Sequence, residues 1–317
     1  MFDSISPNPD GPVLVIGAAG VDIVGRLRGE LRSKTSTPAV IRSSYGGVAR
    51  NVAENLVRLG QPVNLISVVG EDDEGDRLLQ GLVAAGVNPE RVLRTSQYVT
   101  NSYLAIIDSQ GELQFALDDM RAINCLTPQF IREQAALFKE ASILFVDANL
   151  PKDTLRTVMS LARRAHLPVC ADPTSVSLAA RLRPYLSRFF LMIPNNAEAA
   201  VLSERTSPVS GRRQALEVAK YLVSQGVDIV IITMAEQGLC YATSESSGYI
   251  PAIKTSILDP TGAGDALTAT VIFALLNDIP LDDAVRLGVS AASLTLRFRG
   301  AVVPDLSLEK LYDQLVI

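Results

Sequence analysis

The chain of 317 residues has no tryptophan, one histidine and three cysteines. Each shortage removes a class of chemistry. The lone His166 excludes metal sites built from several imidazoles, and it leaves little room for Ser-His-Asp or Cys-His catalysis. Cys125, Cys170 and Cys240 are odd in number, widely spaced and without a CxxC pair, so neither a zinc site nor a disulfide framework is indicated. Reduced cytosolic thiols are the simplest reading. Basic residues are also in deficit: 29 Lys and Arg against 34 Asp and Glu give a net charge of −5. That balance argues against a large nucleic-acid surface. The longest apolar run, residues 266–276, is too short to span a bilayer. The opening MFDSISPNPDGP lacks the basic and apolar regions of a signal peptide. The expectation is a cytoplasmic protein with no nucleic-acid or membrane partner, whose chemistry runs on carboxylates, backbone dipoles or a borrowed metal.

What is present is a large core. Apolar residues make up 48% of the chain and charged residues 20%, which excludes disorder and suits one α/β domain. Residues 13–16 read as a buried strand, 48–59 as a helix stopped by Gly60, 63–69 as a strand and 76–85 as a helix. Two short runs, 102–107 and 112–117, flank a turn at 108–111 and predict a β-hairpin. Strands at 143–146, 168–171, 190–193 and 229–233 alternate with helices at 154–165 and 214–224, and a long helix starts near Gly264. Such alternation implies a mostly parallel sheet with helices on both faces. The hairpin and residues 21–42 supply a small β appendage.

The segment 259–265, Asp-Pro-Thr-Gly-Ala-Gly-Asp, carries the strongest chemical signal. A strand region over 249–258 is expected to run into this glycine-rich turn, and a helix begins at once after it. Gly262 and Gly264 permit close backbone approach, and the N–H groups of the new helix with its positive dipole end make an anion site. The spacing and lysine of a Walker A loop are absent. A carboxylate beside a phosphate cradle is unfavourable for binding alone. It makes sense if Asp265 takes the proton from a hydroxyl that attacks phosphorus, and the alternative is that Asp265 only caps the helix.

This string resembles the DTxGAGD signature of the ribokinase-like (PfkB) carbohydrate and nucleoside kinases. Residues 46–51, GGVARN, are similar to that family's GGxxxN string, and Asn195, Asn196, Ala197 and Glu198 match its NxxE motif. The resemblance runs from Val13 to about Ala301. It implies a three-layer α/β sandwich, with a lid from about 21–42 and 97–122 inserted in a single domain over residues 1–317. It implies ATP and Mg²⁺ as cofactors, Asp265 as general base, and the amides of Gly262, Ala263 and Gly264 as an anion hole. Glu198, with Asn195, would organise Mg²⁺ through water. Thr233 opens a stretch similar to the family's nucleotide loop, which keeps Gly238 but has Ala235 where glycine is usual.

On the acceptor side the resemblance implies that Asp22 grips sugar hydroxyls, that Gly46 and Gly47 allow the sugar close to backbone, and that Asn51 donates and accepts there. Gly20 stands where asparagine is common, so one sugar contact is lost or supplied elsewhere. Asp259, Gly300 and Ala301 fall where relatives build a monovalent-cation site, which leaves K⁺ open. Residues 46–55, 119–128, 147–150 and 172–174 look like the corresponding strings of pseudouridine kinases. The expected activity is therefore transfer of the γ-phosphate of ATP to the 5′-hydroxyl of a ribosyl substrate, first of all pseudouridine. A ribokinase- or fructokinase-like sugar kinase, another nucleoside kinase and a non-catalytic sensor on the same fold are the alternatives. Lids of this kind can pair between subunits, so a homodimer is also allowed.

Overall fold

The structure, a computed structural model, describes residues 8–32, 34–110 and 112–315. Strand β1 (Val13–Ile16) leads directly into a small sheet made of β2 (Gly20–Leu27) and β3 (Ala39–Gly46). Helix α1 (Val48–Arg58), β4 (Val63–Gly70), α2 (Asp73–Ala84) and β5 (Val92–Thr95) return the chain to the body. The hairpin β6 (Ser102–Ile107) and β7 (Leu113–Asp119) completes the small sheet, in the order β3-β2-β6-β7. Gly111, in the expected hairpin turn, lies outside the described residues, as do residues 1–7 of the N-terminal segment.

Next come α3 (Pro128–Glu133), α4 (Leu137–Glu140), β8 (Ile143–Asp147), α5 (Lys152–Arg164), β9 (Val169–Asp172) and α6 (Val176–Ala179). They are followed by β10 (Leu191–Met192), α7 (Asn196–Leu202), α8 (Gly211–Ser224), β11 (Ile229–Thr233), β12 (Leu239–Ala242) and β13 (Ser247–Ile250). Three helices finish the chain: α9 (Ala263–Leu276), α10 (Leu281–Leu296) and α11 (Leu308–Leu315). The main sheet has nine strands in the order β13-β12-β11-β10-β9-β8-β1-β4-β5. Strands β5 to β11 of that order pair in parallel, and β12 and β13 pair antiparallel at one edge.

Strands buried on both faces need side chains that are apolar throughout, and β1 and β8 show this. Val13 and Val15 point into a cluster with α1, α2, α9 and α10, whereas Leu14 and Ile16 point into one with α3, α5, α7 and α8. Each such side chain stabilises the fold by about 1.5–3 kcal/mol relative to exposure. Helix α9, apolar on every side and buried from Ala266 to Ala274, is a core element. Among the described residues no helix is long and apolar enough to cross a membrane.

Three expectations need adjustment. The strand placed over 249–258 ends at Ile250: Pro251 lacks an N–H for the ladder, and residues 251–258 run without regular structure into the glycine turn. The small sheet extends past residue 42, because β3 pairs with β2 as far as Gly46 opposite Gly20. Helix α2 starts three residues earlier than the apolar spacing suggests, since the Asp72 side chain caps it through Gly75 N at 2.8 Å.

The chain moves one way along the sheet from β1 to β4 and β5, and the other way from β8 to β11. Strands β1 and β8 therefore bracket a switch point, where the C-terminal strand ends open a crevice suited to ligands.

Candidate active site

That crevice is a cavity of about 960 Å³, closed on one side by the small sheet. Asp22, Gly47, Asn51, Asn101, Gly262 and Asp265 all contribute to its lining. Residues separated by more than two hundred positions meet here because two helices, α1 and α9, both begin at its floor.

Both helices are capped by a glycine with positive φ, Gly47 at 92° and Gly262 at 79°. Neither position has room for a side chain: a Cβ at Gly47 would collide with Ala18 O, and one at Gly262 with Ala301 O. The two starts differ in what faces their amides. At α1 the Asp147 carboxylate accepts from Ala49 N at 3.3 Å and from Ala18 N at 2.8 Å, and Ala18 O accepts from Arg50 N. At α9 no side chain among the described residues caps the helix, and space beside Gly264 is open.

Asp265 sits in the first turn of α9, half-buried, and its Oδ2 accepts from Asn51 Nδ2 at 2.7 Å. Burial pushes its pKa up to about 7; the Asn51 bond and the Arg50 charge oppose the rise, while Asp22 and Asp147 add to it. A carboxyl titrating near neutrality can exchange a proton with a hydroxyl, which a carboxylate at its ordinary pKa does poorly. Asp22, on β2, is pushed up to about 6 by burial, with Arg50 lowering it and Asp259 raising it. Gly46 lies against Asp22 so closely that a Cβ would overlap the carboxylate.

Asn51 was expected at the acceptor site, with an exposed helix face as its alternative. It is 3% exposed, and Arg50 beside it is 7% exposed. Arg50 Nη1 donates to Asn51 Oδ1 at 2.8 Å and to Tyr45 O at 3.1 Å, and its Nη2 pairs with Glu54.

Asn101, just before β6, packs directly against Gly20. A Cβ on residue 20 would collide with Asn101 O and press on Asn101 Cβ. Asn101 Nδ2 donates to Ala19 O at 3.0 Å and Asn101 O accepts from Val21 N, so this residue clamps both sides of Gly20. Its Oδ1 is buried and has no partner among the described residues.

The residues expected at the nucleotide form a second group at the C-terminal ends of β10 and β11. Asn195 and Thr233 are bridged in parallel register. Asn195 caps α7 through Ala197 N and Glu198 N, both at 2.9 Å, and Glu198 Oε2 accepts in return from Asn195 N at 2.9 Å. This capping box holds the Glu198 side chain in one orientation. Ala235 adopts φ 50°, so the backbone keeps a left-handed path although the residue is not glycine. Gly238 closes that turn against Ile250 O. Asp172, at the end of β9, lies between the groups: burial together with the Asp265 and Glu198 carboxylates holds its pKa well above the ordinary range. Asp259 accepts from Thr261 N at 3.0 Å and Gly300 N at 3.3 Å, which draws the 300–301 turn against the start of α9.

Asp147, Asp172 and Asn101 are the residues that sequence reasoning did not select for the site. The first two had a readable signal, an aspartate ending an otherwise apolar strand (Ile143–Asp147, Val169–Asp172). Asn101 had none, because its position depends on the meeting of two strands eighty residues apart.

Residues 12–307 match the family of pfkB family carbohydrate kinases. The chain is 31% identical over 297 residues to pseudouridine kinase from Escherichia coli (strain K12), covering 93% of this chain and 94% of that protein. It is 28% identical over 297 residues to guanosine-inosine kinase from Exiguobacterium acetylicum, with 93% and 97% covered. The structure of Arabidopsis thaliana ribokinase complexed with ribose and ATP superimposes with a TM-score of 0.85 over 97% of this chain and 99% of that one, at 20% identity, a likeness of fold.

Proposed function

The chain belongs to the pfkB family of carbohydrate kinases, and from that premise we propose that it transfers the γ-phosphoryl group of ATP to the 5′-hydroxyl of a ribosyl substrate, pseudouridine before other nucleosides or free sugars. One observation carries the reading: the half-buried Asp265, its pKa pushed up to about 7, stands in the first turn of a helix whose leading amides no side chain among the described residues caps. In the reaction the acceptor hydroxyl oxygen forms a bond to the γ-phosphorus, the bond to the β-phosphate bridging oxygen breaks, and Asp265 takes the hydroxyl proton. The amides of Gly262, Ala263 and Gly264 hold the charge on the transferring group, which costs no reorganisation at the moment of reaction.

Asp22 and Asn51 hold the acceptor, with two carboxylate oxygens at Asp22 matching two neighbouring hydroxyls. Asn101, whose Nδ2 is committed to Ala19 O and whose Oδ1 has no partner among the described residues, borders the same cavity next to Gly20 and is the nearest polar side chain to the contact that Gly20 lacks. A nucleoside is favoured by polar groups that can meet a base, Asn124, Asn149 and Thr174, which line the cavity together with the charged Asp118, Asp119, Arg121 and Arg181. The similarity to pseudouridine kinase narrows the class further.

The donor set suits a Mg²⁺ that arrives with the nucleotide. Among the described residues no three His, Cys, Asp or Glu side chains are grouped to hold a metal ion alone. Glu198 has one carboxylate oxygen committed to Asn195 N and another left for water around the ion. When bound, Mg²⁺ supplies charge neutralisation on the phosphates. Thr233 and Gly238 border the nucleotide, and Asp259 with the 300–301 turn offers a place for K⁺.

The small sheet acts as a lid, and its outer strand supports a homodimer. Strand β7 is an unpaired edge with Leu113, Phe115 and Leu117 at 55%, 57% and 67% exposure, a surface that a second copy would cover. Sedimentation velocity of the full chain is expected to show a dimer that Phe115→Glu dissociates.

Turnover with Mg-ATP across pseudouridine, uridine, inosine, guanosine and ribose tests the activity. Pseudouridine is expected to give the highest kcat/KM. Tight binding of one acceptor with no ATP consumed by any would overturn the kinase reading in favour of a sensor.

A further inference from the structure

A row of polar groups, half-buried at Arg58 and buried at Glu54, Arg50 and Asn51, runs along α1 and ends at Asp265. Arg58 Nη2 donates to Glu54 Oε1 at 3.0 Å, and Glu54 Oε2 pairs with Arg50 Nη2. Arg50 Nη1 donates to Asn51 Oδ1 at 2.8 Å, and Asn51 Nδ2 donates to Asp265 Oδ2 at 2.7 Å. The i,i+4 spacing of 50, 54 and 58 puts the charged members on one side of the helix. This side is the one covered by the rest of the protein, with Glu54 6% exposed. Burying a row of this kind is costly, the more so because Arg50 Nε and Arg58 Nε have no partner among the described residues, and an apolar face would have packed as well.

The order of donors along the row matters. An asparagine amide can face either way, and the guanidinium, which has donors only, settles the choice at Asn51. With Oδ1 turned to Arg50, Nδ2 must face Asp265. The carboxylate oxygen engaged there is fixed, and the other remains for the acceptor hydroxyl.

We propose that Arg50 is a positioning residue of the phosphoryl-transfer site: through Asn51 it sets the orientation of the base, and its charge balances the two cavity carboxylates Asp22 and Asp265. The inference rests on the kinase reading above. Asp265 is faced by Arg50 and neutral Asn51 from α1, by Asp22 from β2, by Asp147 from β8 and by Asp172 from β9. Arg50 is the one cation in that set. Three carboxylates push the base toward its protonated form, and Arg50 works against them. It lowers both Asp22 and Asp265. Burial lowers the Arg50 pKa and the Glu54, Asp22 and Asp265 carboxylates hold it up, and a guanidinium starts so far above neutrality that it keeps its charge at working pH.

Two substitutions separate orientation from charge. Arg50→Lys keeps the charge and loses the fork that reaches Asn51, Tyr45 and Glu54 together; Arg50→Met loses both. Arg50→Met is expected to move the acid limb of kcat/KM up by roughly one pH unit. It should lower the plateau kcat by roughly tenfold to a hundredfold. Arg50→Lys should keep the limb in place and lower only the plateau. Should Arg50→Met alone misfold because Glu54 loses a partner, Arg50→Met/Glu54→Gln removes the pair as a unit.

The carboxyl titration of Asp265, followed by ¹³C NMR on labelled protein, gives a reading that needs no turnover. It should move up in the Met variant and stay in the Lys variant. If no acceptor is phosphorylated by the wild type, the kinase reading fails while this titration still reports on Arg50. An unchanged Asp265 titration in the Met variant, or a plateau kcat within twofold of wild type, overturns the proposal.

Discussion

Helices α1 and α9 start at the same cavity, each from a glycine with positive φ, yet the two starts differ: Gly47 has ψ 124°, whereas Gly262 is left-handed with ψ −2°. At α1 the dipole is already satisfied by the protein's own anion, because the Asp147 carboxylate accepts from Ala49 N and Ala18 N. At α9 no side chain among the described residues caps the helix. A helix start that carries an internal carboxylate is a structural joint. One left bare beside a half-buried base is a place for a transferring anion. The difference also shows how Asp147 is buried without an ionic partner among the described residues: burial pushes its pKa up, and the backbone N–H groups of Ala18, Asn149 and Ala49, with the Asn149 side chain, pull it back.

The comparison can be broken most severely at Asp265. Asp265→Asn retains the bond to Asn51 but has no proton acceptor of suitable basicity, so kcat should fall by roughly 10²–10⁴-fold while ATP binding persists. The wild-type rate should rise with pH through about 7 as the base ionises. Stability should move the other way. The folded-state pKa of Asp265 lies above its unfolded value, so its contribution is fully present at low pH and is lost as pH rises toward 7. Asp265→Asn should therefore raise Tm at pH 8 and leave it nearly unchanged at pH 4. An unchanged rate in the variant removes Asp265 as the base, and a lowered Tm at pH 8 contradicts the burial argument.

Filling the bare helix start is the next test. Gly262→Ala places a Cβ against Ala301 O at a positive φ and shifts the leading amides, so kcat should drop by roughly 10²–10³-fold with the acceptor KM changed little. A rise in acceptor KM at constant kcat would place those amides at the sugar. The smallest effect is expected at the satisfied start. Asp147→Asn turns an N–H donor toward a backbone donor, which should cost about 1–3 kcal/mol of stability, read from urea unfolding. Because Asp147 anchors the segment leading to Asp22, the acceptor KM should rise more than kcat falls. A stability loss below the range, with kcat reduced as at Gly262, would make the two starts equivalent.

Much of this was readable before the fold was seen. Strands buried on both faces, such as Ile143–Asp147, declare themselves as apolar runs, and the DPTGAGD string marks its own turn and helix. The irregular path over 251–258 was not readable, because its mixed residues neither alternate nor break until Pro251 is seen to end the ladder. The site was legible where chemistry sits on one segment, as at Asp265 and Asn51. It was not legible where function depends on contact between distant segments, as for Asn101 against Gly20 or Arg50 behind Asn51. The Arg50–Glu54 pair looks like an ordinary surface i,i+4 pair in sequence, and only packing reveals it as buried.

On the function proposed above, the phosphoryl group rests on the amides that start α9 and not on those that start α1. Amide ¹H–¹⁵N shifts on adding a non-hydrolysable Mg-ATP analogue with acceptor test it directly. The predicted result is large shifts at Gly262, Ala263 and Gly264 with little change at Gly47 and Ala49. Large shifts at Gly47 and Ala49 with Gly262 to Gly264 unmoved would contradict it.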